Sequence, residues 1–441
     1  MIELTFTLFE RMNSFTQLSI LVGSILLIWS LVHVGLVGFF SVIVVRNRLA
    51  RSEKDTVTHR HLKASVLMSL RGCDPCLSRN LKSLLHQAYD DFEIIVVVDS
   101  RDDPAWDLTQ QVKSAEDTAD RLRIFELQNP STTCSLKCSS LIQATQQISP
   151  DSDVVVLIDA DVVPHTNWLH DALRPLSDPK IGVVTGNQWF SPHRPDRGSL
   201  LRSIWNSGAM VASALNSNPW AGTCAMRVAD LKRSGLIEKW NSSVVDDGPI
   251  KVAFARIGLQ VFFEPRLIMV NRDQCTAAFV GRYVTRMLTW SRIYEKTFAN
   301  TVVHAVAMFA LLVISLMTFL VALLLRDEFA ALLVGASMFV SNLLMFVGFR
   351  SAEHAVSHAI SPRRNENQLE PMTWLKATWV FLLLPICQLA HVFWTIKAVF
   401  ARQASWRNIT YRLDSQQRVK MVAYQPYKAT PCTSSKSTRS I

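Results

Sequence analysis

Two carboxylates, Asp159 and Asp161, directly follow the apolar run Val154–Ile158. Consecutive apolar residues, most of them β-branched, predict a strand that is buried on both faces. Side chains two positions apart on an extended backbone point the same way, and open α/β sheets bind ligands at the carboxyl ends of their strands. Because adjacent like charges repel, a bound cation favours such a pair. The stretch predicts a metal and diphosphate site; a strand end with solvated or capping Asp residues is the alternative.

A second acidic pair, Asp246-Asp247, precedes Gly248-Pro249. We predict a helix over about 244–257, which would place both carboxylates at its N-cap and first turn. Capping needs only one Asp, so the second Asp favours a chemical role in which one carboxylate is a general base. These residues alone leave both interpretations open.

Two further polar residues are candidates for the same site. Asp99 ends the predicted strand Phe92–Val98, where its carboxylate could accept hydrogen bonds from a ribose or a base N–H. An Asp that opens a turn is an equally good interpretation. Lys137 stands at the start of a predicted helix, where it could contact a phosphate or remain solvated.

Two tryptophans, Trp189 and Trp220, are candidates for an acceptor pocket. Aromatic faces suit both sugar rings and acyl chains, although packing in the core is the more frequent fate of a single Trp.

The segments that must position these residues alternate between strands and helices. The predicted strands are Ala64–Leu70, Phe92–Val98, 122–127 and Val154–Ile158, and the predicted helices are 77–87, 105–119 and 136–147. This alternation predicts an α/β fold with a mostly parallel sheet of the nucleotide-binding type. Beyond it we predict a strand over 181–186, an aromatic and polar turn over 186–190, and a helix over 199–215.

Long apolar segments flank this domain at 18–45, 302–325, 329–349 and Trp374–Phe400. Each is long enough to cross a bilayer, and four such segments would be improbable in one soluble fold. We therefore predict an integral protein of the inner or plasma membrane. Its predicted parts are a transmembrane anchor (1–50), a polar domain (51–272), an amphipathic segment (273–301), transmembrane α-helices (302–400) and a basic tail (401–441).

The net charge of +10 could suggest a nucleic-acid partner, but basic residues crowd the borders of the apolar segments. Arg46 and Arg48 follow the first segment, and Arg292 and Lys296 precede the second. The positive-inside rule explains this distribution and places the polar domain in the cytoplasm. We identify no nucleic-acid-binding module and expect no nucleic-acid partner.

The segment 273–301 carries Arg286, Trp290 and Arg292 among apolar residues. It predicts a basic amphipathic helix lying in the membrane interface. Cysteines at Cys73-x2-Cys76 and Cys134-x3-Cys138 do not share one zinc-ribbon pattern, so we expect neither zinc nor, in a cytoplasmic domain, disulfides.

Taken in order, the motifs resemble those of glycosyltransferase family 2, whose catalytic domain has the GT-A fold, with the nearest likeness to ceramide glucosyltransferases and their bacterial relatives. The likeness covers about 64–293. It rests on Arg71-Gly72-Cys73-Asp74-Pro75, Asp99 with Asp102-Asp103-Pro104, Lys137, Asp159-Ala160-Asp161, the segment 222–227, Asp246-Asp247 and Arg286-Met287-Leu288-Thr289-Trp290.

The resemblance implies roles for these residues. Asp99, Lys137 and Asp246 would help bind the nucleotide-sugar donor, and Asp159 with Asp161 would serve its ribose and a Mg²⁺ or Mn²⁺ ion. Asp247 would be the catalytic base. The stretch 286–290 corresponds to a (Q/R)-x-x-R-W motif over the diphosphate and the acceptor entrance. Thr289 stands where Arg is expected, so Arg286 or Arg292 would have to replace that cation.

The implied function is a membrane-bound inverting glycosyltransferase that moves a sugar, expected to be UDP-linked, to a membrane lipid acceptor. A polysaccharide synthase of the same family is the alternative, and a non-catalytic membrane scaffold is a further one. Three full spans after a cytoplasmic domain would put the tail outside, yet 405–412 resembles a cytoplasmic post-span segment of the family. We therefore predict that Trp374–Phe400, with Pro385 and His391, is re-entrant or interfacial.

Overall fold

The computed structural model describes residues 14–52, 62–363, 367–413 and 419–427. The strands are β1 (Ala64–Leu70), β2 (Phe92–Val98), β3 (Leu122–Glu126), β4 (Val154–Ile158), β5 (Ile181–Phe190), β6 (Thr223–Arg227), β7 (Gln260–Asn271), β8 (Gln403–Trp406), β9 (Ile409–Leu413) and β10 (Val419–Ala423). The helices are α1 (Ser14–Ser52), α2 (Leu77–Leu85), α3 (Pro104–Glu116), α4 (Leu136–Gln146), α5 (Trp168–Leu173), α6 (Arg197–Leu215), α7 (Val228–Ser234), α8 (Leu236–Trp240), α9 (Ile250–Arg256), α10 (Ala277–Tyr294), α11 (Phe298–Leu324), α12 (Glu328–Ile360) and α13 (Trp374–Phe400).

A seven-stranded sheet in the order β3-β2-β1-β4-β6-β5-β7 forms the centre of the polar domain. β6 runs antiparallel to both of its neighbours, and the other pairs are parallel. β2 and β4 are buried along their whole length, as expected for strands covered by helices on both faces. The predicted mostly parallel α/β fold is confirmed.

β5 differs from its prediction. The expected turn over 186–190 is wrong, because β5 continues as one strand to Phe190 and pairs with β7 along this stretch. A Cβ added at Gly186 would lie 2.0 Å from the carbonyl oxygen of Leu267. The glycine is therefore needed for the close approach of two strands, where the sequence suggested a change of direction.

The apolar helices α1, α11, α12 and α13 are long enough and apolar enough to cross a membrane. The four predicted apolar segments are thus helical. α12 extends beyond its predicted end, and its last turns pack against the polar domain with Ala355 and Val356 buried. Phe40 of α1 contacts Phe263 of β7, with ring centroids 6.3 Å apart.

α13 begins and ends against the polar domain. Just before its first turn, Glu370 forms an ion pair with Arg272 at 3.1 Å. After its last turn, Arg292 of α10 donates hydrogen bonds to the carbonyl groups of Val399 and Ala401. Between these points α13 packs along α6 and α10 and as extensively against α11, with further contacts to α12. Its two ends are therefore held by Arg272, at the end of the polar domain, and by Arg292 of α10.

The tail folds onto the polar domain. β8, β9 and β10 form an antiparallel sheet, and Tyr411 and Met421 are buried beneath it. The backbone N–H of Leu136 donates to the Tyr411 hydroxyl at 3.1 Å, and that of Met421 donates to the Thr132 carbonyl at 2.8 Å. The predicted basic tail is thus partly an ordered sheet. Residues 414–418 and 428–441 of that prediction lie outside the described residues.

Candidate active site

The ends of β2, β1 and β4 lie side by side and bring their polar residues to one edge of the sheet. Asp99 follows β2, Arg71 follows β1, and Asp159 follows β4. Arg71 and Asp99 form a buried ion pair. The shared edge predicted for Asp99 and Asp159 is therefore present, since their strands flank β1 on either side.

Lys137, in the first turn of α4, joins the two acidic pairs. Its ammonium lies 2.5 Å from Asp159 Oδ1 and 2.8 Å from Asp246 Oδ2. Burial alone would lower the pKa of Lys137, but Asp159 and Asp246 raise it well above the usual value. Lys137 is thus a permanent cation whose nearest partners are two carboxylates, and the phosphate contact predicted for it would have to be made beside them.

The second carboxylate of each acidic pair, Asp161 or Asp247, has a raised pKa. Burial, followed by the charges of Asp159 and Asp74, raises the pKa of Asp161 to about 7. Burial, followed by the charge of Asp246, raises the pKa of Asp247 to about 7, while Lys137 opposes this shift. Among the described residues, no basic side chain lies within ion-pair distance of either carboxylate. Near neutral pH each carboxylate can therefore gain or lose a proton, and a bound cation can replace that proton.

The capping role left open for Asp246 and Asp247 is wrong. α9 begins only at Ile250, with Pro249 in the cap position. A Cβ added at Gly248 would lie 2.4 Å from the Tyr294 ring, so the loop before α9 lies flat against α10. The Trp240 indole also donates to the Asp246 carbonyl at 2.9 Å. These contacts hold both aspartates in a loop that faces Lys137.

The basic residues of α10 separate into two groups. The Arg286 guanidinium lies 6.0 Å from the Tyr283 ring, and burial lowers its pKa, with Arg407 adding to that effect and Asp161 opposing it. Arg292 instead satisfies the carbonyl groups at the end of α13, which have no partners within the helix. The diphosphate role predicted for Arg292 therefore conflicts with its position. Trp290 is half-buried on the same helix, against the apolar cluster that includes Tyr411.

The two candidate acceptor tryptophans also differ. Trp189 is only 2% exposed and packs against Phe349 of α12, with ring centroids 6.0 Å apart. It is a core residue without a free face for an acceptor. Trp220 is half-buried and covers Gly222, whose carbonyl lies 3.5 Å from the backbone nitrogen of Asp159. Only Trp220 adjoins the acidic cluster.

The tail contributes residues that the sequence did not identify. The Tyr424 hydroxyl donates to Asp99 Oδ1 at 2.9 Å, and the backbone N–H of Tyr427 donates to Asp99 Oδ2 at 2.9 Å. The rings of both tyrosines lie within 6 Å of the Arg71 guanidinium. The carboxylate predicted to bind the nucleotide is therefore covered by the segment after β10.

Arg407 is the second contribution of the tail. It stands at the tip of the β8–β9 hairpin and donates to both oxygens of Asp74 at 2.6 Å. Arg407 and Asn408 have positive φ values of 45° and 64°, as a two-residue hairpin loop of this type requires. The only sequence signal was the resemblance of 405–412 to a post-span segment of the family, which pointed to location and gave no role.

Comparison with known proteins identifies the chain's relatives. The family model described as glycosyl transferase family 21 matches residues 28–419. Among solved structures, glucosyl-3-phosphoglycerate synthase from Mycobacterium tuberculosis in complex with phosphoglyceric acid is 17% identical, with a TM-score of 0.34, and the match covers 52% of this chain and 80% of that one. The same enzyme in complex with Mn²⁺ and uridine-diphosphate-glucose is 16% identical, with a TM-score of 0.33. That match covers 52% of this chain and 79% of the other.

The family match spans most of the chain, from within α1 to the first residue of β10, and it includes the acidic cluster, α10 and the β8–β9 hairpin. The prediction of a glycosyltransferase is confirmed, while the narrower likeness to ceramide glucosyltransferases stays a prediction. The chain belongs to glycosyl transferase family 21 and is a glycosyltransferase.

Proposed function

We propose that this enzyme transfers a sugar from a nucleoside diphosphate donor to a hydroxyl group of a membrane lipid, with inversion at the anomeric carbon. The observation that carries the proposal is that Lys137 pairs with Asp159 and Asp246 and leaves Asp161 and Asp247, whose pKa values are raised to about 7, without a basic partner among the described residues. A base with a pKa near the working pH is well matched to accepting a proton in a transition state.

In the proposed reaction, Asp247 accepts the proton of the acceptor hydroxyl. The acceptor oxygen then forms a bond to the anomeric carbon as the bond from that carbon to the diphosphate oxygen breaks. The electron pair of the broken bond leaves with the nucleoside diphosphate. Lys137 holds Asp246 and Asp159 in place. The charges around Asp247 are therefore arranged before the acceptor binds.

The residues around Asp161 fit a divalent cation that is shared with the substrate. The charges of Asp159 and Asp74 act on its carboxylate, which lacks a direct basic partner among the described residues. Within those residues no ready-made group of three or more metal-binding side chains occurs. Mg²⁺ sites of this kind use one or two carboxylates together with substrate phosphates. When bound, Mg²⁺ or Mn²⁺ would supply Lewis-acid stabilisation of the leaving diphosphate.

The lipid acceptor is supported by what surrounds the site. Arg286 and Tyr283 lie on α10, and Tyr283 contacts Trp205 of α6 with ring centroids 6.1 Å apart. The Trp205 indole in turn donates to His391 of α13 at 3.3 Å. A chain of polar and aromatic side-chain contacts therefore connects Arg286, on which the charge of Asp161 acts, to α13. An acceptor with its chains in the bilayer could present its hydroxyl along these contacts.

The same contacts support a membrane arrangement. Because both ends of α13 lie against the polar domain, we propose that α13 is the interfacial segment and that α1, α11 and α12 cross the bilayer. The catalytic domain and the tail sheet would then both be cytoplasmic. In microsomes, Asn408 should not be glycosylated, whereas a glycosylation cassette inserted in the turn 325–327 should be. Modification of Asn408 would contradict this arrangement.

The test of function uses membranes that contain the full chain, a panel of radiolabelled nucleotide sugars beginning with UDP-sugars, and a total lipid extract. We expect label to enter a lipid product of low molecular weight, and Asp247→Asn membranes to give none. Label in a polymer would favour the polysaccharide synthase alternative. Absence of both transfer and donor hydrolysis across the panel would reject the proposal.

A further inference from the structure

We propose that Arg407 is a diphosphate-binding residue of the donor site, supplied by the tail hairpin in place of the cation that is missing at position 289. The inference rests on the function proposed above. Thr289 offers no charge, since its side chain is 2% exposed and its hydroxyl donates to the Thr285 carbonyl within α10 at 2.7 Å.

The hairpin tip is held firmly against the catalytic domain. The Arg407 guanidinium donates to the Arg71 carbonyl as well as to both oxygens of Asp74, in the loop that follows β1. The Arg71 side chain donates back to the Arg407 carbonyl at 3.1 Å. β1 lies between β2 and β4, so this anchorage places Arg407 between Asp99 and the Asp159–Asp161 pair.

The local charges favour an anion beside Arg407. Arg286 makes no ion pair among the described residues, and it lies close enough to Arg407 for the two positive charges to oppose each other. Asp161 interacts favourably with both guanidinium groups. Lys137 is already shared by two carboxylates, and Arg292 is occupied at the end of α13. Arg286 is therefore the cation of this group without an ion pair among the described residues, and Arg407, whose guanidinium also binds Asp74, is the second cation available beside it.

The geometry of the tip is also unusual for its residue type. A non-glycine residue with positive φ is uncommon, and Arg is not among the types enriched there. Arg407 nevertheless adopts φ of 45°, and its side chain is 14% exposed. Guanidinium groups bind phosphate oxygens in a bidentate manner. Phosphate binding would therefore explain why an Arg occupies this position.

The test compares binding of UDP and of uridine to the purified full-length chain in detergent. Arg407→Gln should weaken UDP binding roughly 10- to 100-fold, as expected for loss of a charged hydrogen-bonding partner. Uridine lacks phosphates, so its affinity at millimolar concentrations should not change. Arg407→Lys keeps the charge and should recover part of the UDP affinity. Arg412→Gln is the matched control, because Arg412 is an exposed residue of the same sheet.

Several outcomes would overturn the proposal. Equal weakening of UDP and uridine would show that Arg407 only holds the tail in place. Unchanged UDP binding in Arg407→Gln would exclude a diphosphate contact, and an equal loss in Arg412→Gln would indicate a general charge effect. If the wild-type chain binds none of UDP, GDP and CDP, the proposed donor class itself is wrong and this inference falls with it.

Discussion

The two acidic pairs of the cleft come from different parts of the fold, yet they are arranged alike. Asp159 and Asp161 follow a buried strand, whereas Asp246 and Asp247 lie in a loop pressed against α10. In each pair the first carboxylate forms an ion pair with Lys137, and the second lacks such a partner among the described residues. One lysine thus neutralises one member of each pair.

The difference between the pairs lies in the neighbours of the second carboxylate. Besides burial, the charges of Asp159 and Asp74 raise the pKa of Asp161 and those of Arg407 and Lys137 oppose this shift, so its surroundings carry charges of both signs. Asp247 has Asp246 as its main charged neighbour and the backbone N–H of Ala221 as a hydrogen-bond donor. The environment of Asp161 favours binding of a cation together with an anionic substrate. The environment of Asp247 favours accepting a proton. Equal pKa values therefore need not imply equal roles.

The largest expected effect is that of Asp247→Asn. We expect transfer to fall by about 10³-fold or more, because the base is lost, while nucleotide-sugar affinity stays within about twofold. Only the deprotonated form of Asp247 can accept a proton, so wild-type kcat should fall as the pH drops below about 7. Steady-state kinetics over a pH series measures both effects. Normal turnover by the variant would remove Asp247 from the chemistry.

Asp161→Asn should come next, with roughly 100-fold lower activity at saturating Mn²⁺. In the wild type, protons compete with the cation for Asp161, because its pKa is raised to about 7. The Mn²⁺ concentration for half-maximal activity should therefore be higher at about pH 6 than at about pH 8. A Mn²⁺ requirement that is identical at both pH values and in the variant would contradict this assignment.

Lys137→Met tests the residue that joins the pairs. Two carboxylates would lose their cation, and we expect a loss of about 3 kcal/mol in the free energy of unfolding. Lys137 lowers the pKa of Asp247, so its removal should raise that pKa and move the acid limb of the kcat profile to higher pH. Thermal unfolding and the pH profile are measured together. A destabilised variant with an unmoved acid limb would show that Lys137 is only structural.

Tyr424→Phe should have the smallest effect, and it extends the comparison to a third carboxylate. Asp99 receives hydrogen bonds from the tail, so a nucleotide that uses Asp99 must displace them. Removing one competing hydroxyl should lower the donor KM by about threefold without changing kcat. A higher KM would instead make Tyr424 part of the donor site. Tyr89→Phe, which removes a hydroxyl remote from Asp99, is the control.

The bounds of the strands that form the sheet edge could be predicted from the sequence. β1, β2 and β4 are continuous apolar runs, and their observed bounds match the predicted ones because burial on both faces leaves little ambiguity. The positions of Asp99 and Asp159 followed from those strands. The α9 start was missed, because it depends on Gly248 packing against Tyr294 of a helix distant in sequence.

The directions of individual side chains and the docking of the tail could not be predicted from the sequence. Arg286 and Arg292 look equivalent in an amphipathic segment, and only the packing of α10 against α13 assigns Arg292 to the helix end. Similarly, Trp189 and Trp220 are alike as sequence signals, but contact with α12 buries the former. Arg407 was missed because its place depends on β9 and β10 docking through Tyr411 and Met421.

The docking of the tail also bears on biosynthesis. Residues 403–427 follow α13, so they leave the ribosome after all four long apolar helices have been made. Until then, the loop after β1 lacks Arg407, and Asp99 lacks its tyrosine cover. A chain whose tail has not yet been synthesised therefore has an incomplete active site. Its last wall can form only after all four long apolar helices have been synthesised, so assembly of the site follows completion of the helical part of the chain.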